Sequence, residues 1–288
     1  FAHSPLAVAL YSIICVIMTT GCGLTFYGSY IEPRCIVINR QQHHIPHAPA
    51  LRIAIVSDFH LGPYNQSAFV KRIVTKTNAL NPDMIFLVGD FIDNERSDIT
   101  DLHPLQHLRA AHGIFAVTGN HDAGCYLDIH QQAYKTVDRT KALEDFLEPK
   151  GIRFLKNQHA IVTLHSQQIA IVGVDDAFMQ ECNLKKALHN IPTHTPRILL
   201  SHNPDIIRDP LSHDCDLIVS GHTHGGQIRL PFIGALGPIP TRISKKYDQG
   251  SFKLNKKCTL FITHGIGETW ARARLFCPPE IVCMEINE

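Results

Sequence analysis

Five short apolar runs in this 288-residue chain each end in a residue that can bind a metal ion. Runs of this length, rich in Val, Ile, Leu and Phe, predict buried strands. Because α/β folds place ligand sites at the carboxyl ends of their strands, the segments after these runs are expected to meet at one site. In chain order the segments are Asp58-Phe59-His60, Asp90, Gly119-Asn120-His121-Asp122, His202 and Gly221-His222-Thr223-His224.

The spacing within these segments has a physical reason. In Asp58-x-His60 and His222-x-His224, an extended backbone points residues i and i+2 to the same side, so both side chains of a pair can face one cavity. A single Asp-x-His pair is common and predicts little, but five such segments in this order predict a metal centre. A set of Asp, Asn and His without Cys suits Mn²⁺ or Fe²⁺ and is compatible with Zn²⁺.

The chain after residue 50 alternates apolar runs with helical patterns and then becomes richer in strands. Residues 32–50 look like a connector with one short strand at 36–38. The predicted helices are Ser67–Ala79, His103–His112, Thr140–Lys150 and Leu184–Asn190. A hairpin is expected between Ala160–Leu164 and Gln168–Val174. This order of elements predicts two packed sheets flanked by helices.

Residues 6–26 form an uncharged apolar segment, LAVALYSIICVIMTTGCGLTF. At about 1.5 Å per residue, a helix of this length covers roughly 30 Å, the thickness of a bilayer core. A cleaved signal peptide is the alternative, but no Lys or Arg precedes the segment and the apolar run is longer than a typical signal core. We therefore expect a single-pass anchor in residues 1–30 and one catalytic domain in residues 31–288.

The residues flanking this segment predict the orientation of the anchor. Arg34, Arg40 and Arg52 follow it and no basic residue precedes it, so the positive-inside rule puts the catalytic domain on the cytoplasmic side of the inner membrane. The nine cysteines include no C-x-x-C pair, which argues against a zinc ribbon and favours reduced thiols. A net charge of +1 gives no bulk attraction to nucleic acid.

The motifs SDFH, VGDFID, GNHD, LLSHNPD and SGHTHGGQ, found in this order between Leu51 and Asn287, resemble those of the calcineurin-like metallophosphoesterases. The tail THGIGETWARARLFCPPEI and the apolar start resemble the membrane-linked, YaeI-like branch of that family. The resemblance implies an α/β fold, a four-layer α-β-β-α sandwich. It also implies two divalent metal ions, with Mn²⁺ as the first candidate and Fe²⁺ or Zn²⁺ as the others.

The same resemblance implies a role for each motif residue. His121 would donate a proton or contact the phosphate, and Asp122 would orient it. Asp58, His60 and His224 would hold the first ion, and Asn120, His202 and His222 would hold the second. Asp90 would bridge both ions.

Further residues are predicted to contact the substrate. The segment 228–243, IRLPFIGALGPIPTRI, directly follows the last metal motif. It is either an ordinary buried loop or a hydrophobic lip that receives acyl chains beside basic residues. Residues 123–150 are a second candidate insertion facing the substrate. The predicted substrate contacts are Arg242, Trp270, Arg272 and Arg274.

The branch resemblance implies an enzyme that hydrolyses a lipid-linked diphosphate. The expected substrate is the nucleotide-sugar lipid UDP-2,3-diacylglucosamine, cleaved to UMP and 2,3-diacylglucosamine 1-phosphate in lipid A synthesis. The bilayer is the expected partner, and no obligate protein partner is indicated. The alternative is a membrane-anchored phosphodiesterase of broader or different substrate range. A protein phosphatase or nuclease would use the same metals without the anchor, and a scaffold would not need a complete ligand set.

Overall fold

The computed structural model describes residues 4–127, 132–164, 166–177 and 182–287. Parts of the predicted anchor (residues 1–3) and of the predicted insertion (residues 128–131) therefore lie outside the described residues. The helices are α1 (Pro5–Phe26), α2 (Ser67–Asn78), α3 (Thr140–Leu147) and α4 (Leu184–Leu188). A π-helical turn covers Tyr27–Ile31, and 3-10 turns cover Glu32–Arg34, Ile99–His107, Glu148–Lys150, Pro204–Arg208, Pro210–Asp214 and His224–Gly226.

The strands of the described chain are β1 (Val37–His44), β2 (Leu51–Val56), β3 (Met84–Val88), β4 (Ile114–Val117), β5 (Cys125–Leu127), β6 (Ala133–Lys135), β7 (Ile152–Phe154), β8 (Gln158–Leu164), β9 (Gln167–Gly173), β10 (Arg197–Leu200), β11 (Leu217–Ser220), β12 (Arg229–Leu230), β13 (Gly234–Ala235), β14 (Gly250–Lys253), β15 (Thr259–Ile262) and β16 (Glu280–Asn287).

Two six-stranded mixed sheets form the centre of the molecule. The first has the order β1-β16-β2-β3-β4-β7, and the second has the order β14-β15-β11-β10-β9-β8. Within each sheet the inner strands that precede the metal motifs run parallel. Such strands are covered on both faces, which explains why they appear in the sequence as continuous apolar runs rather than as alternating patterns.

The two sheets pack face to face, and helices cover their outer faces. Along β2, Ile53 and Ile55 point into the core between the sheets, whereas Ala54 and Val56 point toward the layer of α2 and α3. A third cluster fills the space between the second sheet and α4. These layers confirm the predicted four-layer α-β-β-α sandwich. The parallel strands end at a common edge of the sandwich, where their polar continuations meet.

Two predicted elements differ from the observed ones. The helix expected at His103–His112 is a 3-10 helix over Ile99–His107. Pro104 lies inside it and has no N–H to donate, which disfavours an α-helix, and the Asp98 side chain caps its start by accepting the Thr100 N–H. The strand expected at 36–38 extends to His44 because it pairs along its whole length with β16. Its polar residues lie on a sheet edge, so hydrophobicity did not indicate it.

Helix α1 extends away from the sandwich. None of its residues is buried, and the helix is long and apolar enough to cross a membrane by length and composition. The turn that follows packs on the catalytic domain. The carboxylate of Glu32 is buried and accepts the backbone N–H groups of Phe276 and Cys277. The end of the helix is therefore held in a fixed position next to residues 274–277.

Candidate metal centre

The seven predicted metal ligands lie together at the common edge of the two sheets. The turns after β2, β3 and β4 carry Asp58, His60, Asp90 and Asn120, and those after β10 and β11 carry the remaining three histidines. Five of the seven ligands have a left-handed backbone. This conformation costs roughly 1–3 kcal/mol per residue and clusters at functional sites. The five ligands are Asp58 (φ 59°), His60 (φ 43°), Asp90 (φ 53°), His222 (φ 69°) and His224 (φ 52°). The extended backbone expected for the Asp58-x-His60 and His222-x-His224 pairs is therefore wrong, and tight turns bring these side chains together.

Glycines allow these turns to approach one another. A Cβ at Gly221 would lie 2.1 Å from Ser57 Oγ and 2.5 Å from Asp58 Oδ2. A Cβ at Gly119 would lie 2.2 Å from Asp90 Oδ1. Neither position accepts a larger residue, because the atom it would meet belongs to a ligand or to the strand next to it.

The ligands form two groups that share Asp90. In the first group, His60 Nε2 is 3.0 Å from His224 Nε2, and His224 Nε2 is 3.4 Å from Asp58 Oδ1. The second group contains His202 and His222, whose ligand atoms lie within 4.8 Å of that of Asp90. A single oxygen, Asp90 Oδ2, is 3.4 Å from His60 Nε2 and 3.0 Å from His202 Nε2. This carboxylate is positioned to bridge two cations.

Hydrogen bonds from outside the centre orient its ligands. The Nδ1 atom of His202 lies 2.7 Å from the Val88 carbonyl, and the Nε2 atom of His222 lies 2.7 Å from the Pro240 carbonyl. Each imidazole therefore donates with one nitrogen and keeps the other for a cation, as metal-bound histidines do. The Asn120 amide donates from Nδ2 to the Cys125 carbonyl at 2.7 Å, which aims its oxygen at the centre.

Two buried oxygens in this centre accept no hydrogen bond in the described part of the chain. They are Asp58 Oδ2 and Asn120 Oδ1. A buried polar atom without a partner costs about 1–3 kcal/mol, so these atoms require a ligand. The centre fits a pair of divalent cations. It offers two oxygens without partners, a shared carboxylate and imidazoles with one free nitrogen.

Electrostatics divides the four imidazoles of the centre into two pairs. Against burial, Asp90 raises the pKa of His202 and Asp93 raises the pKa of His60. Burial lowers the pKa of His222 to about 3, helped by the charge of His202, and burial and His60 hold the pKa of His224 well below its usual range. Both imidazoles are therefore neutral, which is the form that binds metal. Burial opposes ionisation of Asp90, but His202 and His121 outweigh it and hold its pKa well below the usual range.

His121 stands at the rim of the centre and lines a cavity. Its Nδ1 atom lies 2.6 Å from the Asp93 carbonyl, so Nδ1 donates there and Nε2 is the nitrogen that can accept or deliver a proton elsewhere. Its ring stands edge-on to the rings of His60, at 4.5 Å, and Tyr126, at 4.8 Å. Burial lowers the pKa of His121.

The contact expected between Asp122 and His121 is not made. The Asp122 carboxylate instead accepts the backbone N–H groups of Gly119, Phe91 and Ile92, at 2.9, 2.8 and 3.2 Å. It points away from His121 because consecutive residues in this turn project in different directions. Asp122 thus fastens the loop that carries Asp90 to the loop that carries Asn120. Burial and the charge of Asp90 raise its pKa to about 7.

A cavity of about 490 Å³ opens from the metal centre. One end is polar and contains Asp90, Asn120 and His121. The other end is formed by apolar residues of the segment 228–243 and by the loop near residue 270. The residues of this second end are Ile228, Leu236, Gly237, Pro238, Pro240, Thr269, Trp270 and Ala271. The segment 228–243 is therefore an exposed cavity wall rather than a buried loop.

The four predicted substrate contacts have different positions. Trp270 lines the cavity and is 75% exposed. Arg272 lies outside the cavity lining, with its guanidinium 4.1 Å from the ring centre of Tyr64. Arg242 also lies outside the lining, two residues beyond Pro240, and its backbone N–H donates to Asp205.

The prediction for Arg274 is corrected, because this side chain is fully buried. Its guanidinium donates to the carbonyls of Gly267, Cys277 and His264 at 2.6, 3.0 and 2.7 Å. An arginine presents several donors in a rigid fork, so one side chain can hold three carbonyls of a loop. Arg274 shapes the loop that carries Trp270 and has no surface for a substrate.

Three residues at the site were missed by sequence reasoning. Asp93 places Oδ1 3.6 Å from His60 Nδ1 and holds His121 through its carbonyl. Its position three residues after Asp90 was the only available signal. Tyr126 lines the cavity from the β5–β6 hairpin, within the predicted insertion 123–150. Gln227 ties the metal loop to the Trp270 loop by donating to the Thr269 carbonyl and accepting the Thr269 N–H.

Fold and site together define a metal-dependent phosphoesterase. Residues 51–226 match the calcineurin-like phosphoesterase family, and the chain belongs to this family. The chain is 31% identical to the UDP-2,3-diacylglucosamine pyrophosphatase LpxG of Chlamydia muridarum, over 90% of this chain and 91% of that protein.

Two other relatives extend the comparison. The chain is 29% identical to the uncharacterized metallophosphoesterase YkuE of Bacillus subtilis, over 91% of this chain and 89% of that protein. It is 30% identical to a transmembrane protein with metallophosphoesterase domain of Danio rerio, over 83% of this chain and 53% of that protein. The family match and these relatives agree with an enzyme that hydrolyses phosphate esters or diphosphates.

Proposed function

We propose that this chain is a membrane-anchored hydrolase of a lipid-linked diphosphate, with UDP-2,3-diacylglucosamine as the substrate. The supporting observation is a single cavity with a metal-ligand set at one end and an apolar wall at the other. A substrate that fills it needs a phosphoryl group and a hydrophobic part, which a diacylated sugar nucleotide has. The 31% identity to an enzyme named for this substrate supports the same assignment.

The residues present fit two divalent ions, and Mn²⁺ is the proposed metal. Bound ions of this kind polarise a phosphoryl oxygen and lower the pKa of a bound water toward neutrality. Asp90 would be shared between the two positions. The proposed ligands of the separate positions are Asp58, His60 and His224 for one, and Asn120, His202 and His222 for the other.

His121 is the proposed proton donor to the leaving oxygen. Its Nδ1 donates to the Asp93 carbonyl, so delivery of a proton from Nε2 requires the protonated ring, a form that burial opposes and the charge of Asp90 favours. General acid assistance of this kind contributes about 10²- to 10⁴-fold to a rate. Asp122 has an indirect part in this proposal, because it fixes the Asn120 and Asp90 loops rather than His121.

The apolar wall is the proposed acyl-chain site. Leu236, Pro238 and Trp270 all line the cavity, and an acyl chain bound there would remove apolar surface from water, at about 25 cal/mol per Å². The Trp270 ring could equally stack on a nucleobase. Arg272 and Arg242 lie at the periphery, where they would meet anionic groups rather than the scissile phosphate.

Residues 1–30 are the proposed single-pass anchor, and residues 31–288 are the proposed catalytic domain. Arg34, Arg40 and Arg52 favour a cytoplasmic location of this domain at the inner membrane. An anchor keeps the enzyme in the same two-dimensional space as a lipid substrate, which raises the effective concentration of that substrate.

A phosphodiesterase of broader substrate range is the second candidate, and one observation favours it. Among the described residues, the cavity lining contains no Lys or Arg. A diphosphate carries charge on both phosphorus atoms, and the lining offers no side-chain cation to the phosphate farther from the metals. A single phosphodiester would require none.

The experiment that separates the two candidates is a Mn²⁺-dependent assay of the full chain in detergent. Formation of UMP from UDP-2,3-diacylglucosamine is compared with hydrolysis of bis-p-nitrophenyl phosphate. We expect both activities, with the larger kcat/KM for the lipid. Hydrolysis of the generic ester alone would favour the second candidate, and activity on neither with any of Mn²⁺, Fe²⁺ or Zn²⁺ would contradict both. Asp90→Ala is the inactive control.

A further inference from the structure

The end of α1 and the loop 267–276 are in direct contact. The Gly28 carbonyl accepts the Arg274 N–H at 2.9 Å, and the Glu32 carboxylate accepts the Phe276 N–H at 2.9 Å. A Cβ at Gly28 would lie 3.1 Å from the Arg274 carbonyl oxygen, so the two backbones are packed without intervening side chains. The point at which α1 ends is therefore fixed relative to this loop.

The β12–β13 hairpin lies on the other side of the same loop. The Arg229 N–H donates to the Leu275 carbonyl at 2.9 Å, and the Leu275 N–H donates to the Gln227 carbonyl at 2.9 Å. The end of α1, the loop 267–276 and the hairpin thus follow one another across one surface of the protein. Both segments border the cavity, since Trp270 of the loop and Leu236, the residue after β13, line it.

Large apolar side chains project from this surface into solvent. Phe232 at the tip of the hairpin is fully exposed, and Ile233 beside it is 70% exposed. Trp270, Leu236 and Phe276 are also exposed. We refer to these five residues as the interfacial face. Soluble proteins rarely group exposed apolar side chains in this way unless another surface covers them.

Backbone conformation adds a second observation. Phe232 and Trp270 have left-handed backbones, with φ of 67° and 65°. This conformation is unusual for bulky residues and costs free energy. In the described chain these side chains gain little packing in return, because both remain mostly exposed. A surface outside the protein would supply the packing that the fold does not.

The length of α1 places the membrane surface level with the interfacial face. Its 22 residues cover about 33 Å at 1.5 Å per residue, close to the roughly 30 Å of a bilayer core. The boundary of the core then falls near Tyr27 and Tyr30, and aromatic residues are enriched at that depth. The Arg272 guanidinium lies 5.9 Å from the ring centre of Tyr30, within reach of lipid phosphates.

We propose that the interfacial face inserts into the headgroup region of the same bilayer that α1 spans, so that the cavity opens onto lipid. This inference rests on the proposed membrane span of α1. It assigns the Phe232–Ile233 tip and Trp270 as a second, peripheral membrane contact. A lipid substrate would then enter the cavity sideways from the leaflet, without passing through water.

Trp270 is the only tryptophan of the chain, which gives a direct test. The full chain is reconstituted in phosphatidylcholine–phosphatidylglycerol vesicles with acyl chains brominated near the headgroup. Because tryptophan prefers the interface, we expect these lipids to quench its fluorescence about twofold relative to unbrominated ones. The double variant W270F/F232W moves the reporter to the hairpin tip and should behave in the same way.

W270F/I161W is the matched control, because Ile161 is exposed on β8, the outermost strand of the second sheet. Its fluorescence should not respond to bromination. Retention of the chain on vesicles after an alkaline wash tests the span of α1 separately. If the chain stays on the vesicles and tryptophan emission is equally unquenched at positions 270, 232 and 161, the inference is wrong and the anchor stands. Loss of the chain from the vesicles refutes the anchor and the inference together.

Discussion

The two ends of the cavity are built in different ways. At the metal end, the ligands are buried and follow strand ends, and His202 is held by the carbonyl of Val88, the last residue of β3. The contact of His222 with the Pro240 carbonyl is the exception, because Pro240 belongs to the segment 228–243. At the apolar end, Leu236 and Trp270 come from irregular loops and remain exposed. The Trp270 loop is held through its backbone, by Arg274 and Gln227.

This difference indicates that the two ends of the cavity have different functions. Cation chemistry tolerates little displacement of its ligands, and strand ends provide the rigidity it needs. Binding a hydrocarbon chain depends on the apolar surface area that is buried and not on the direction of individual contacts, so exposed loops are sufficient. Changes at the metal end should therefore abolish a function, whereas changes at the apolar end should shift an affinity.

The largest effect is expected for Asp90→Ala. Because one carboxylate serves both cation positions, we expect both ions to be lost and hydrolysis to fall to the limit of detection. Metal content is measured by mass spectrometry after dialysis, with exposed Asp145→Ala as the control. Full metal content in the Asp90 variant would refute the shared carboxylate.

His121→Ala should separate chemistry from metal binding. We expect metal content to be unchanged and kcat to fall about 10²- to 10⁴-fold, because a proton donor is removed and no proposed ligand is touched. Substitution of the exposed His103 is the control. Parallel loss of metal and activity would make His121 a ligand and remove the proposed donor.

The buried pair of His264 and Glu280, 2.8 Å apart, supports the loop behind both ends. Burial lowers the pKa of His264, but contacts with Cys277 and Glu280 outweigh this and raise it to about 9. Its contribution of about 3 kcal/mol to folding is then complete below about pH 6.5 and disappears as pH rises through 9. Urea unfolding between pH 6.5 and 9.5 should show this loss in the native chain and not in His264→Gln. An equal loss in the variant would contradict the assignment.

The smallest effect is expected at the apolar end. Leu236→Ser removes apolar contact from the proposed acyl site. We expect a loss of about 1.5 kcal/mol of binding free energy, which corresponds to about a tenfold increase in KM for the lipid substrate. Hydrolysis of bis-p-nitrophenyl phosphate should change little. Leu211→Ser, on a 3-10 turn outside the cavity lining, is the control. Equal effects on both substrates would mean that the two ends are not independent.

Sequence alone predicted the metal end better than the apolar end. The strands before Asp58 and Asp90 are continuous apolar runs, and side chains after parallel strands meet by topology, so spacing was enough to group them. Trp270 and Arg274 lie four residues apart in one loop, but one lines the cavity and the other is fully buried. No periodicity fixes side-chain direction in such a loop, so residue type was the only guide and it failed for Arg274.

The Asp122 orientation was missed for a related reason. The GNHD motif names four consecutive residues, and a turn distributes consecutive side chains to different sides. Asp93 became visible as a partner of His60 and His121 only when the loops after β2, β3 and β4 were seen together. Ligand identity is thus encoded locally, whereas the support of each ligand depends on contacts between distant segments.

The contact of the Gly28 carbonyl with the Arg274 N–H has a practical consequence for protein production. A soluble version that starts after residue 30 would lose the Gly28 carbonyl that accepts the Arg274 N–H, and would cut through the turn Tyr27–Ile31. The loop carrying Trp270 would then keep only the Glu32 contacts with this turn. A truncation that begins at Phe26 retains both contacts and removes nearly all of the apolar helix, which makes it the better starting point for crystallisation.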